Sequence, residues 1–150
     1  MTIFESLKAD HEKVAGIFER LEPTTERGVK TRMELFARLK TELDAHANLE
    51  ETVLYPALLE YEETREIALE GVEEHRVVKK LLAELASMPV DNEQWKAKLT
   101  VLKENVEHHV EEEEGEMFKS ARQVLSREKI NDLTARAEAK KKALTAGTQR

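Results

Sequence analysis

Six residues with metal-ligand chemistry stand where helical apolar patterns call for Leu or Val: His11, His46, Glu50, His75, His109 and Glu113. His46-x-x-x-Glu50 and His109-x-x-x-Glu113 are i,i+4 pairs, so each offers an imidazole and a carboxylate to one side of a helix. His11 and His75 add one imidazole each from two other helices. A carboxylate buried without a partner is strongly disfavoured, and a bound metal supplies the missing compensation. Four neutral nitrogens and two carboxylates suit two ions, each with two imidazoles, the carboxylates bridging or chelating. Open coordination positions then remain for water or a small ligand. Nitrogen and oxygen donors without sulfur fit iron, manganese or zinc, and oxygen chemistry at the open positions would favour iron.

A single histidine on an apolar face is ordinarily a hydrogen-bonded core residue. One HxxxE in a chain with 31 acidic residues also carries little weight. Two such pairs on the inward stripes of alternate helices carry much more. His108-x-x-x-Glu112 has the same spacing, so the stripe must decide between them. Val106, His109 and Glu113 continue Leu99 and Leu102, whereas His108 and Glu112 continue Val101 and Asn105 on a more polar flank. His109 and Glu113 are therefore the expected ligands, and His108 is peripheral to them. The acidic run Glu111 to Glu114, with Glu116, reads mainly as a solvated face; Glu51 and Glu114 are expected to face solvent. Tyr55, just before Pro56, reads as a boundary residue, with contact to a metal-bound ligand as the alternative. Phe18, Leu54, Met117 and Phe118 are expected in the core, some of them walling the site.

The elements that must position these residues are helices. The first runs from about Thr2 to Leu21, with Phe4, Leu7, His11, Val14 and Phe18 on one face, and stops at Pro23. The second follows a loop from Pro23 to Gly28 and reaches about Tyr55, where Pro56 ends or kinks it; Ala57 to Tyr61 add a short turn. The third spans about Glu62 to Ser87, with Gly71 either allowing a close helix approach or breaking the helix locally. Met88-Pro89-Val90 ends it, and Asp91 is the expected N-cap of the next. The fourth runs from about Asn92 to Leu125, and a further helical stretch begins near Ser126 and frays from Thr145. Short connections between four long amphipathic helices predict an all-α, up-down-up-down four-helix bundle over residues 1–125. Residues 126–150 form a C-terminal helical extension and tail.

Composition agrees with helices. Charged residues make up 37% of the 150, aromatics 5%, and only five glycines and three prolines are available for turns. The formal charge of −7 has no basic stripe within it, which argues against a nucleic-acid partner. Lys140-Lys141-Lys142 reads as a solvated helix end. The absence of cysteine excludes disulfides, thiolate metal sites and a cysteine nucleophile. The first residues lack an apolar run like a signal peptide, and no stretch has the length of a membrane span. A soluble, cytoplasmic protein is expected.

The segment His46-Ala-Asn-Leu-Glu50-Glu-Thr-Val-Leu-Tyr-Pro56 resembles the HHE signature of hemerythrin-like proteins. His109-Val-Glu-Glu-Glu113-Glu-Gly-Glu-Met-Phe118 resembles its second copy, and His11 and Glu74-His75 match the remaining positions. The resemblance covers roughly residues 3 to 125. It implies a non-haem di-iron centre with His11, His46, Glu50, His75, His109 and Glu113 as ligands and Glu50 and Glu113 as bridges. Oxygen-carrying members have a fifth histidine one turn further along the third helix; this chain has Lys79 there. Carriers also use an aspartate at longer spacing on the fourth helix, where this chain has Glu113. The chain therefore resembles the HHE-type branch. A ferritin-like bundle is disfavoured, because the residues three before each histidine (Lys8, Leu43, Val72, Asn105 and Val106) include no glutamate.

The first expectation is a protein that binds oxygen or a related small ligand, or senses iron or redox state. The alternative is a di-iron oxidase or peroxidase-type enzyme acting on peroxide or nitrogen oxides. Its proton donor would be His108, Tyr55 or Lys79. A helical interaction module with a structural metal is a third reading. The expected partners are small ligands such as oxygen, peroxide or nitric oxide, with neither nucleic acid nor a membrane.

Overall fold

The computed structural model describes residues 1–148. Helix α1 is Ile3–Leu21, α2 is Val29–Leu49, α3 is Tyr55–Leu58 and α4 is Glu62–Ala86. Helix α5 is Glu93–Glu112, α6 is Phe118–Val124 and α7 is Arg127–Thr148. Two π-helical turns, Glu50–Leu54 and Glu113–Met117, join α2 to α3 and α5 to α6. The described residues contain no strand, and short loops fold the long helices into the expected antiparallel bundle.

Thr2 caps α1, its hydroxyl accepting the Glu5 N–H at 3.3 Å. The cap of α5 is Asn92, whose side-chain oxygen accepts the Gln94 N–H at 2.8 Å, one residue later than Asp91. The second helix neither ends nor breaks at Pro56. Its backbone changes earlier, at the π turn, and Pro56 sits in the first turn of α3, where a missing N–H is tolerated. The N–H groups of Tyr55 and Phe118 reach back five residues, to the carbonyls of Glu50 and Glu113. One extra residue in each turn rotates the helix beyond it, so Tyr55 and Phe118 point inward alongside the glutamates.

The apolar interior has two parts. One contains Ile3, Phe4, Leu7, Leu54, Tyr55 and Phe118, together with Leu133 and Ala137 of α7. The other contains Phe18, Leu21, Leu39, Leu82, Trp95 and Leu102. Each fully buried Leu or Phe contributes about 1.5–3 kcal/mol. At the far end of the second core, buried Arg32 donates to the Thr24 hydroxyl and carbonyl and to the Val90 carbonyl, tying two loops together. Helix α7 lies against α1, α2 and the first π turn. The Ile3 N–H donates to the Thr134 hydroxyl at 3.0 Å. The helix continues past the expected fraying point to Thr148; Gln149 and Arg150 lie outside the described residues.

Candidate metal centre

A polar layer lies between the two apolar cores. It contains His11, His46, Glu50, His75, His109 and Glu113, all of them buried and both glutamates fully so. The i,i+4 pairs put both glutamates one turn beyond their histidines, at the start of the π turns. His46 Nε2 lies 3.2 Å from Glu50 Oε1, and His109 Nε2 lies 3.0 Å from Glu113 Oε2. Across the bundle, His75 Nε2 is 3.0 Å from Glu50 Oε1, and His11 Nε2 is 3.1 Å from Glu113 Oε1. Donor atoms of His11, His46, Glu50 and Glu113 lie within 4.8 Å of one another, as do those of Glu50, His75 and His109.

Each histidine of the layer turns its other ring nitrogen toward a carboxylate on the preceding helix, in a closed circuit. Asp10 of α1 faces His46 Nδ1 at 3.2 Å, and Glu51, next to α2, faces His75 Nδ1 at 3.5 Å. Glu74 of α4 meets His109 Nδ1 at 2.6 Å, and Glu114, next to α5, meets His11 Nδ1 at 2.6 Å. An ionised carboxylate only accepts, so in neutral His11, His46 and His109 the proton sits on Nδ1 and the Nε2 lone pair points inward, while His75 Nδ1 makes no hydrogen bond at its longer distance. With both rings neutral, the Nε2 atoms of His11 and His46 would face each other at 3.1 Å with no proton to share. Glu50 Oε2 and Glu113 Oε1 are buried without a hydrogen-bond partner. Cations would compensate acceptors this concentrated, and each of the two donor groups could hold a metal ion without sulfur ligation.

In the metal-free chain, protons must supply that positive charge. Burial opposes charge on Glu50, yet the neighbouring His46 and further hydrogen bonds hold its carboxyl well below the ordinary range. Burial and Glu50 both oppose ionisation of Glu113, but His109 and His11 outweigh them and its pKa is lowered. Burial likewise opposes protonation of His46, but Glu50 and Asp10 raise its pKa well above 6.5. His109 is raised to about 12 against burial by Glu113, Glu50 and Glu74. A metal bound here would compete with protons for these nitrogens.

Tyr55 stands at the boundary between the first π turn and α3, and it also reaches the site. Its hydroxyl is buried in the polar layer, 3.1 Å from Glu113 Oε2 and 3.3 Å from His75 Nε2. Burial, with Glu50 and Glu113, raises its pKa, so the hydroxyl keeps its proton. Gly71 makes room for it: a Cβ there would stand 2.8 Å from the Tyr55 oxygen, and α4 runs through Gly71 unbroken. The glycine thus serves close approach.

Glu51 and Glu114 are half-buried braces rather than solvent-facing residues. Lys141, expected in solvent, donates to Asp10 Oδ1 at 3.0 Å. His108 is exposed, 3.1 Å from Glu112 and 3.7 Å from Glu74, outside the polar layer. Helical patterning does not single out the four braces, and the family resemblance marks only Glu74, yet each is the immediate sequence neighbour of a candidate ligand: Asp10 of His11, Glu51 of Glu50, Glu74 of His75 and Glu114 of Glu113. A neighbour on a helix points about 100° away, toward the adjoining helix.

A small cavity of about 30 Å³ abuts the polar layer on the side of the second core. Its walls are the four histidines, Val14, Leu43, Ala47, Val78, Leu82, Val106 and Val110, with Lys79 and Asp44 as its other polar residues. Tyr55 enters from the opposite side, through the first core. Lys79 donates to both oxygens of Glu51 at 2.8 Å.

A profile of the hemerythrin HHE cation binding domain matches residues 2–121. An uncharacterised hemerythrin-like protein from Schizosaccharomyces pombe is 29% identical over 114 residues, covering 75% of this chain and 55% of that protein. A protein from Nostoc sp. named DNA nickase is 28% identical over 144 residues, 94% of this chain and 39% of that one. This chain thus spans about two-fifths to just over half of these curated relatives. The crystal structure of an HHE cation binding domain-containing protein from Mycobacterium kansasii superposes with a TM-score of 0.85 at 24% identity. That match covers 98% of this chain and 89% of the other.

Proposed function

This chain belongs to the hemerythrin HHE cation-binding domain family, and from that premise we propose that its polar layer holds a non-haem di-iron centre that binds oxygen or a related small molecule. The observation that carries this reading is the inward convergence of four Nε2 atoms on two fully buried carboxylates, one oxygen of each without a hydrogen-bond partner. His11 and His46 would hold one ion and His75 and His109 the other, with Glu50 and Glu113 between them. Iron supplies reversible electron transfer and open positions for a diatomic ligand or peroxide.

The chain's own groups favour binding or sensing over rapid turnover. The cavity beside the imidazoles has mainly aliphatic walls, which admit a small neutral molecule and exclude bulk water. Tyr55, which retains its proton, stands on the opposite side and donates to Glu113. The observation favouring an oxidase or peroxidase-type enzyme is Lys79, the one N–H donor besides the imidazoles among the described cavity walls. The acidic, cysteine-free sequence fits a cytoplasmic protein without nucleic-acid or membrane partners. No helix among the described residues is long and apolar enough to cross a membrane. The activity in the name of the Nostoc protein is not carried over, since this chain covers 39% of it.

Stopped-flow mixing of the reduced, iron-loaded protein with oxygen, nitric oxide and peroxide tests the reading. Stable adduct spectra with slow decay are expected. Rapid multiple turnover of peroxide would favour the enzyme, and failure of every ligand to perturb the spectrum would leave a structural metal.

A further inference from the structure

Helix α7 begins beyond the residues matched by the family profile, yet one of its side chains reaches Asp10, the carboxylate that faces His46. Lys141 Nζ donates to Ser6 Oγ at 2.6 Å and to Asp10 Oδ1 at 3.0 Å. The other Asp10 oxygen, Oδ2, faces His46 Nδ1 at 3.2 Å. Asp10 is buried, so without a cation on its first oxygen it would be a poorly compensated charge. With one oxygen fixed, the carboxylate has little freedom left, and its second oxygen is aimed at the imidazole.

The brace on His75 is built differently. Glu51 is held by Lys79, which belongs to α4 within the bundle itself. The brace on His46 relies on a helix outside the bundle, anchored by Leu133, Ala137 and Thr134. A groove between α1, α2 and α7, lined by Lys13, Thr41, Ala45 and Leu49, runs beside this contact. Lys141 therefore links α7 to His46 across an interface that is not filled throughout.

We propose that Lys141 is a positioning residue for His46, so that docking of α7 sets how tightly the His11/His46 side of the centre holds its metal. The inference rests on the two-metal reading above. Outer partners of metal-binding histidines contribute through ring orientation and ligand basicity, and their loss weakens metal affinity by about 10–100-fold. Lys141 acts one contact further out, so the lower end, roughly tenfold, is expected.

The test uses the full chain loaded with ferrous iron, as wild type, Lys141→Met and Lys141→Arg, challenged with excess chelator. The wild type should hold two ions. In Lys141→Met one ion of the two should leave roughly tenfold faster while the other keeps its wild-type rate, and Lys141→Arg should restore the slow phase. Unchanged release of both ions, or equal acceleration of both, would overturn the proposal. A wild type holding fewer than two ions would sink the two-metal reading instead. Lys141 is then judged by ¹⁵N NMR of the metal-free histidine rings. Lys141→Met should shift the His46 nitrogens and leave those of His75 in place; no shift at His46 would overturn the positioning role.

Discussion

The two His-x-x-x-Glu turns have the same backbone and opposite chemistry five residues after the glutamate. Both become π-helical at a fully buried glutamate. After Glu50 the inward residue is Tyr55, whose hydroxyl lies 3.1 Å from Glu113 and 3.3 Å from His75. After Glu113 it is Phe118, whose ring lies nearly parallel to that of His11 with centroids 6.5 Å apart. The π turn supplies the geometry twice, and the side chain makes the halves unequal. The His75 side of the polar layer has a phenol beside it, and the His11 side has a hydrocarbon wall.

The largest expected effect comes from breaking either half outright. His109→Ala and His46→Ala should each abolish stable binding of at least one ion, whereas His108→Ala should keep both, because His108 lies outside the polar layer. Metal quantification on the three purified variants decides it; equal losses from His108→Ala and His109→Ala would contradict the assignment.

Metal removal comes next, and its pH dependence separates protons from metal as the counter-charge. In the metal-free chain, Glu50 and Glu113 have lowered pKa values, so their stabilisation is present above about 4.5 and is lost as pH falls through the folded values. His46 and His109 have raised values, so theirs is full below about 6.5 and declines as pH rises toward the folded values, about 12 for His109. From pH 6 to 8 the melting temperature of the metal-free protein should fall and that of the iron-loaded protein should hold or rise, since metal displaces those protons. At pH 7 the loaded protein should melt higher. Coincident melting curves for the two forms would remove the metal from the account.

A smaller effect is expected from crowding the phenol. Gly71→Ala would gain about 1 kcal/mol of helix propensity. Its Cβ would meet the Tyr55 hydroxyl oxygen at 2.8 Å and a carbon of its rigid ring at 2.9 Å, a clash that costs about 1–3 kcal/mol. Net destabilisation is expected, with the spectrum of the His75/His109 side altered. A stabilised variant with an unchanged spectrum would show that Tyr55 has no fixed place there.

The smallest effect should come from Tyr55→Phe, which makes the two turns alike. Metal content should be unchanged and stability altered by about 1 kcal/mol, with a shift in the iron spectrum. Loss of an ion would mean that the phenol oxygen is itself required to hold the metal.

These contrasts also show what the sequence makes legible. The stripe Leu7, His11, Val14 places a histidine between two apolar layers, and the structure has just that layering. The same reasoning separates His109 from His108. It does not reach the π turns, because a five-residue hydrogen-bond span leaves no distinct apolar period. Tyr55 reads as a helix boundary because Pro56 comes directly after it, yet the change of register precedes the proline. The braces hide in the acidic composition: among 31 acids, only proximity to a ligand marks Asp10, Glu51 and Glu114, and Glu74 is marked besides by the family resemblance. Lys141 is 131 residues from Asp10, a separation over which helical periodicity says nothing.

In the proposed centre six converging side chains hold two iron ions. Iron quantification of the purified protein, with absorption spectra in oxidised and reduced states, tests it most directly. Two irons per chain are predicted, with a charge-transfer spectrum that bleaches on reduction and is lost in Glu50→Ala. One ion or none per chain after anaerobic loading with excess ferrous iron, or a spectrum that survives Glu50→Ala, would contradict it.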